Sequence, residues 1–279
     1  MRAIAWRQFF ILTFDEMIQL FKRKRALLSF LIYIAFIILS LIFISYCHQW
    51  TLKMIPFLPI PYEEKEVLLN ALKSIEIPAA MIQDFPLLGY SWPSLFYFFC
   101  SVLFFPFLIP LISCDMISQD LSTGTQRFIL FRVSRWVYFW SKTFAHFSVY
   151  ILFLFLMTGC LTGYSLSTLK NPQFFSLLND SFLLSLRLLP VMLVFLALTQ
   201  AISSLIQSPI KGLLFNYLIM LIMLILLTFK PQISLFYYPL WHGLFTFDSS
   251  LIFFSLVGFF VWSVLLFGGS FILFLRKNL

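Results

Sequence analysis

Charged side chains are scarce in this chain. Asp, Glu, Lys and Arg make up 11% of its 279 residues, where soluble domains carry roughly a quarter. That shortage excludes an ordinary soluble fold. Cysteine is sparse too. Cys47, Cys100, Cys114 and Cys160 show no C-x-x-C spacing and sit in apolar surroundings, which reads as packing rather than a disulfide frame or a thiolate metal site. His48, His146 and His242 lie in three separate segments with no H-x-x-x-H among them, so no metal site is legible. A G-x-x-x-x-G-K-[ST] run is missing as well. "STGTQR" (Ser122–Arg127) has neither its spacing nor its Lys, so this chain does not cradle nucleotide phosphates itself.

What is present is hydrocarbon. Hydrophobic residues reach 61%, 38 of the residues are Phe, and mean hydropathy is +0.97. A spanning helix needs about 20 mostly apolar residues. Six stretches qualify, at roughly 26–46, 95–114, 144–168, 182–206, 212–229 and 251–275. The expectation is an all-α membrane protein, one transmembrane domain over 1–279, with six spans. Net charge is +8, but the basic residues flank apolar runs. There they fix topology and meet anionic lipid, which argues against nucleic-acid binding.

Six spans put both termini on one side. That side collects thirteen Lys and Arg residues, against five on the other, with Arg187 left inside the fourth span. The bias places both termini in the cytoplasm. Before the first span, residues 1–25 read as an amphipathic interfacial helix: Trp6, Phe9, Phe10, Phe14, Met17, Leu20 and Phe21 share one face. Asp15, Glu16, Gln19, Lys22 and Arg23 share the other. The run "KRKR" (Lys22–Arg25) then stops at the head groups. Residues 47–94 read as a long extracytoplasmic loop carrying a short helix at "EEKEVLLNALKSI".

The intracellular stretch 115–142 is longer than a turn requires. It holds Asp115 and Asp120, breaks at Ser122-Thr123-Gly124-Thr125, and continues with helical spacing through Phe128, Ile129, Phe131 and Arg132. Asp120 and the hydroxyls are placed to cap a helix start. Arg127, Arg132 and Arg135 would project from that helix towards a partner.

"ISQDLSTGTQRFILFRVSRWVYFWSK" resembles the intracellular segment of the ABC type-2 permease family through Asp120, Gly124-Thr125, Ser134-Arg135 and Lys142. "YYPLWHGLFTFDS" resembles the family's segment before the last span through Pro239, His242, Phe245 and Asp248. The resemblance implies a permease subunit of an ATP-driven exporter. A separate ABC ATPase would bind ATP and Mg, and this chain would bind no cofactor and catalyse no reaction itself. A second permease subunit, identical or paralogous, would complete the pathway in the bacterial inner membrane. Asp120, Gly124, Thr125, Arg127, Arg132, Ser134, Arg135 and Lys142 would then form the coupling segment against the ATPase. Residues 230–250, with Pro239, His242 and Asp248, would form a re-entrant segment. A plain aromatic interface belt is the other reading of that stretch.

Three further residues are candidates for a transport pathway. Pro106 and Pro110 remove backbone donors from the second span and either bend it passively or hinge it. Arg187 either snorkels to the outer interface or meets an anionic substrate group. The apolar lining favours an amphipathic or lipid-like cargo. Two rival readings stand beside export: a membrane-embedded lipid-modifying enzyme, which would want clustered carboxylates or His, and a non-transporting assembly or immunity protein.

Overall fold

The computed structural model describes residues 2–22, 24–54, 92–168, 174–229, 244 and 249–276. Among the described residues there are nine helices and no strand. In chain order they are α1 (Arg2–Lys22), α2 (Lys24–Met54), α3 (Trp92–Ser113), α4 (Ser118–Thr123), α5 (Thr125–Leu130), α6 (Arg135–Thr168), α7 (Phe174–Leu205), α8 (Pro209–Phe229) and α9 (Ser249–Arg276).

Each apolar run coincides with a helix: four lie wholly inside one, and the runs 95–114 and 182–206 pass the end of theirs by a single residue. The run expected from 144 begins at Arg135, and the run expected from 182 begins at Phe174. Apolar composition marks where hydrocarbon lies. The helix continues past it because its backbone bonds close within the segment. The expected loop 47–94 is shorter for the same reason: 47–54 continue α2 and 92–94 open α3. The helix expected near residues 63–75 lies outside the described residues, as does most of 230–250, including Pro239, His242 and Asp248.

Four stretches among the described residues are long and apolar enough to cross a membrane: Pro93–Thr123, Arg135–Ser167, Phe174–Leu205 and Ser249–Arg276. Residues 5–22 and 27–43, bent by 63° against each other, make a fifth if taken together. The apolar part of α8, Pro209–Met223, is shorter. Against six expected spans, the described residues therefore provide four to five, and the chain is a multi-pass membrane protein.

α7 is the central helix. It packs against α9, α3 and α6 and buries Leu184, Leu188, Val191, Phe195 and Ile202 along its length. Phe36, Leu39, Phe43, Phe155, Phe253 and Leu265 face outward, the arrangement expected when the surroundings are lipid. Between helices in hydrocarbon there is little hydrophobic driving force, so small residues and hydroxyl bonds carry association. Ser255, Phe259, Ser263, Phe267, Ser270 and Phe274 form the buried stripe of α9, spaced four, four, four, three and four apart. The serines let its backbone approach closely. Hydroxyl pairs tie the other helices: Ser94 Oγ to Ser181 Oγ at 2.7 Å, Tyr33 OH to Ser101 Oγ at 2.7 Å, and Thr158 Oγ1 to Ser185 Oγ at 3.0 Å. Thr143 Oγ1 donates to Gln200 Oε1 at 2.8 Å. Each such bond contributes on the order of 0.6–2 kcal/mol.

Pro106 and Pro110 both lie inside α3 and are buried. Two tyrosines from neighbouring helices supply donors beside them. Tyr217 OH donates to the Phe107 carbonyl at 3.1 Å, and Tyr150 OH to the Ile109 carbonyl at 3.2 Å. Hydroxyls from packed neighbours are one way a proline-bearing span is tolerated.

Candidate functional site

The polar segment after α3 does not form the single helix expected. It divides into α4 and α5, six residues each, joined at Gly124 with φ +72°. That left-handed backbone costs a residue with a side chain about 1–2 kcal/mol, which accounts for glycine at the joint. Thr123 Oγ1 and Thr125 Oγ1 lie 2.7 Å apart across it. Nor does Asp120 cap a helix start. It sits in the middle of α4, and the N-terminus of α4 is capped from another helix. Ile117 N–H and Ser118 N–H both donate to Ser203 Oγ of α7, at 2.9 and 3.0 Å. A distant hydroxyl thus satisfies two donors that a helix start leaves open.

Asp120 is turned inward instead. Its Oδ2 accepts from Tyr138 OH at 2.7 Å and lies 2.9 Å from Lys142 Nζ. Lys142 Nζ donates to Glu16 Oε2 of α1 at 2.8 Å. Lys142 and Glu16 are both buried. One ammonium therefore pins two carboxylates from different elements, α1 and α4, onto α6. Glu16 was expected on a solvated face of the amphipathic helix. It is packed inward because α1 meets α6 through Phe9, Glu16 and Leu20, leaving Phe10 and Phe14 exposed. His146 stands one turn above Lys142. Its Nδ1 lies 2.8 Å from Ser113 Oγ, and its Nε2 is 3.9 Å from Glu16 Oε1, too far for a hydrogen bond. Ser113 Oγ also meets Tyr150 OH at 2.6 Å, which carries the polar chain to the end of α3.

The same end of the bundle is gripped by aromatic rings. Phe9 stands edge-on to Phe144 at 5.5 Å, and Tyr138 stacks on Phe274 of α9 at 5.8 Å. Phe139 lies 5.2 Å from Phe271. Gln8 Nε2 donates to the Arg132 carbonyl at 3.2 Å. A polar cavity of about 270 Å³ lies between α1, α4, α5 and α6, lined by Asp15, Glu16, Gln119, Asp120, Thr125 and Lys142 among others.

The expected partner-facing residues separate into two groups. Arg127, Phe128, Phe131 and Arg132 are exposed, with Phe128 and Phe131 at 74% and 87%. Asp120 and Lys142 point into the bundle. Arg135 Nη1 donates to the Leu275 carbonyl at 2.6 Å, placing a cation at the C-terminal end of α9, where the helix dipole favours positive charge. Ser134 stands at the start of α6, its carbonyl accepting from Tyr138 N–H at 3.1 Å and its Oγ from Val137 N–H at 3.4 Å. In α7, Arg187 Nη1 donates to the Leu244 carbonyl at 2.9 Å. Among the described residues no group of three His, Cys, Asp or Glu side chains is placed to hold a metal ion.

No protein-family model, curated protein or solved structure matches this chain. The site is therefore read from its own geometry. Sequence reasoning missed Glu16, Tyr138 and Ser203. The signal available for Glu16 was a carboxylate on a helix otherwise rich in aromatic residues. For Lys142 it was a lone cation inside "FWSKTFAHF". Nothing local marks Ser203.

Proposed function

We propose that this chain is the membrane-spanning permease subunit of an ATP-binding cassette exporter. It would have six spans and both termini in the cytoplasm of a bacterial inner membrane, and it would be driven by a separate ATPase subunit. The observation that carries the reading is the division of labour in the α4–α5 segment. Its outer face offers two aromatic rings and two guanidinium groups, while its inner face is locked by Asp120 to Lys142 and, through Lys142, to Glu16 of α1. A segment exposed on one side and ion-paired to α6, whose Lys142 also holds α1, is suited to passing a push from a soluble partner into the membrane. Docking energy can shift the two states only by its difference between them, so the segment must stay attached to α1 and α6 in both. The rival enzyme reading loses ground here, because Glu16 and Asp120 are engaged with one ammonium rather than poised as acid and base.

The cargo on this reading is amphipathic or lipid-like, and a second permease subunit completes the pathway. The test is a gentle-detergent purification of the full-length chain from its host, with mass spectrometry of what accompanies it. A stoichiometric protein bearing a phosphate loop should co-purify. Arg127→Glu/Arg132→Glu should lower its recovery about tenfold or more, as expected for rim and core charges of a docking face, while the chain still reaches the membrane. Recovery unchanged by the double variant, or no ATPase with the native chain, would overturn the reading.

A further inference from the structure

Where α1 gives way to α2, a pocket of about 200 Å³ lies between these two helices and α6. Its walls are apolar, formed by Phe21 of α1, Leu27 and Leu31 of α2, and Val149, Leu152 and Leu156 of α6, among others. A wider groove of about 800 Å³ precedes it along α1 and α6, lined by Phe10 and Phe14 of α1 and Phe144 and Ser148 of α6. The pocket and the groove follow one another along α1 and α6, so apolar surface extends from the interfacial helix to the flank of the first span. An acyl chain is the apolar molecule that a membrane supplies in excess at this position.

Charge decides which lipid. Phe21 and Leu27 both line the pocket, and the sequence places Lys22, Arg23, Lys24 and Arg25 between them. Lys22 is exposed. No Asp or Glu occurs between Glu16 and Glu63, and Glu16 is already held by Lys142. A basic run alone attracts anionic head groups diffusely. An apolar recess lined by Phe21, next in sequence to the exposed Lys22, converts the attraction into a defined site, because the phosphate and the chain are satisfied at once. A zwitterionic lipid could fill the recess, but it would bring a second cation to the basic run. We infer that this elbow binds one anionic phospholipid, with an acyl chain in the pocket and the phosphate at Lys22. The inference needs the chain to reside in a membrane; it does not need the chain to transport anything.

The test is native mass spectrometry of the full-length chain in detergent, titrated with phosphatidylglycerol and with phosphatidylcholine of the same acyl chains. One phosphatidylglycerol should be retained about tenfold more tightly than phosphatidylcholine. Lys22→Gln/Lys24→Gln should remove most of that preference, given the attraction contributed by each cation near an anionic head group. Leu152→Trp should displace the lipid with all charges in place, and Val149→Phe serves the same end if the Trp variant does not fold. Equal retention of the two lipids would overturn the inference. So would a preference that survives the charge change, or binding indifferent to both pocket fillers.

Discussion

Replacing Lys142 with Met isolates what the buried ion-pair cluster contributes. Lys142 Nζ lies 2.8 Å from Glu16 Oε2 and 2.9 Å from Asp120 Oδ2. At an effective dielectric of about 20, each contact corresponds to roughly 6 kcal/mol of attraction, most of it offset by the loss of hydration. The cluster as built carries two negative charges and one positive. Lys142→Met deletes the cation and leaves two carboxylates about 6 Å apart or less, since both touch the same nitrogen. Their repulsion is on the order of 3 kcal/mol, in line with the roughly 3–5 kcal/mol lost when one partner of a buried pair is removed. Glu16→Gln instead leaves Lys142 balanced against Asp120 alone and should cost about 1 kcal/mol. Adding Glu16→Gln to Lys142→Met should restore part of the loss, because only one unpaired carboxylate then remains. Thermal unfolding of the purified full-length chain in detergent, followed by tryptophan fluorescence, measures all three. A fall of roughly 10 °C is expected for Lys142→Met, with the double variant melting higher. A Lys142→Met protein that melts with the native one, or a double variant that melts below it, would refute the reasoning.

Ser203→Ala removes the acceptor for both Ile117 N–H and Ser118 N–H. Loss of a cap costs about 1 kcal/mol, and the expected signature is faster amide exchange at the start of α4, with the distant spans unaffected. Gly124→Ala meets open space, since a Cβ there would have nothing within 4 Å. Its whole effect should come from the positive φ, about 1–2 kcal/mol, read as a melting shift of a few degrees; a neutral substitution would mean that α4 and α5 are not joined through a left-handed residue.

The sequence makes the helices legible and hides their partners. Each of the six apolar runs lies on a helix, and four to five of the described stretches are long and apolar enough to span, because lipid imposes a local rule on each segment separately. Hydropathy misplaces their ends, as at Arg135 and Phe174, since the helix outlasts the hydrocarbon. The bend at Gly124 is visible as "STGT", but the division into two six-residue helices is not, because short helices owe their stability to packing rather than to propensity. Asp120 and Lys142 stand out as charges in the right segment, yet their direction cannot be read from it. What turns them inward is Glu16, and what caps α4 is Ser203; neither lies near the segment in sequence. The aromatic face expected of α1 divides, Phe9 and Leu20 being buried with Glu16 while Trp6, Phe10 and Phe14 stay exposed. The buried position of Glu16 is not legible, because periodicity assigns a carboxylate to water by default.

The bond between Glu16 and Lys142 spans 126 residues of chain. A ribosome adding roughly 5–20 residues per second needs on the order of 6–25 s to cover that distance. Throughout that interval α1 exists without the cation that fixes it. α1 must therefore wait for its partner while two apolar helices, α2 and α3, are made behind it. It can take its final place only when the helix carrying Lys142 emerges. The order of synthesis thus makes α1 earlier than the helix that secures it. A nascent chain halted before residue 142 should leave α1 open to proteases that the finished protein resists.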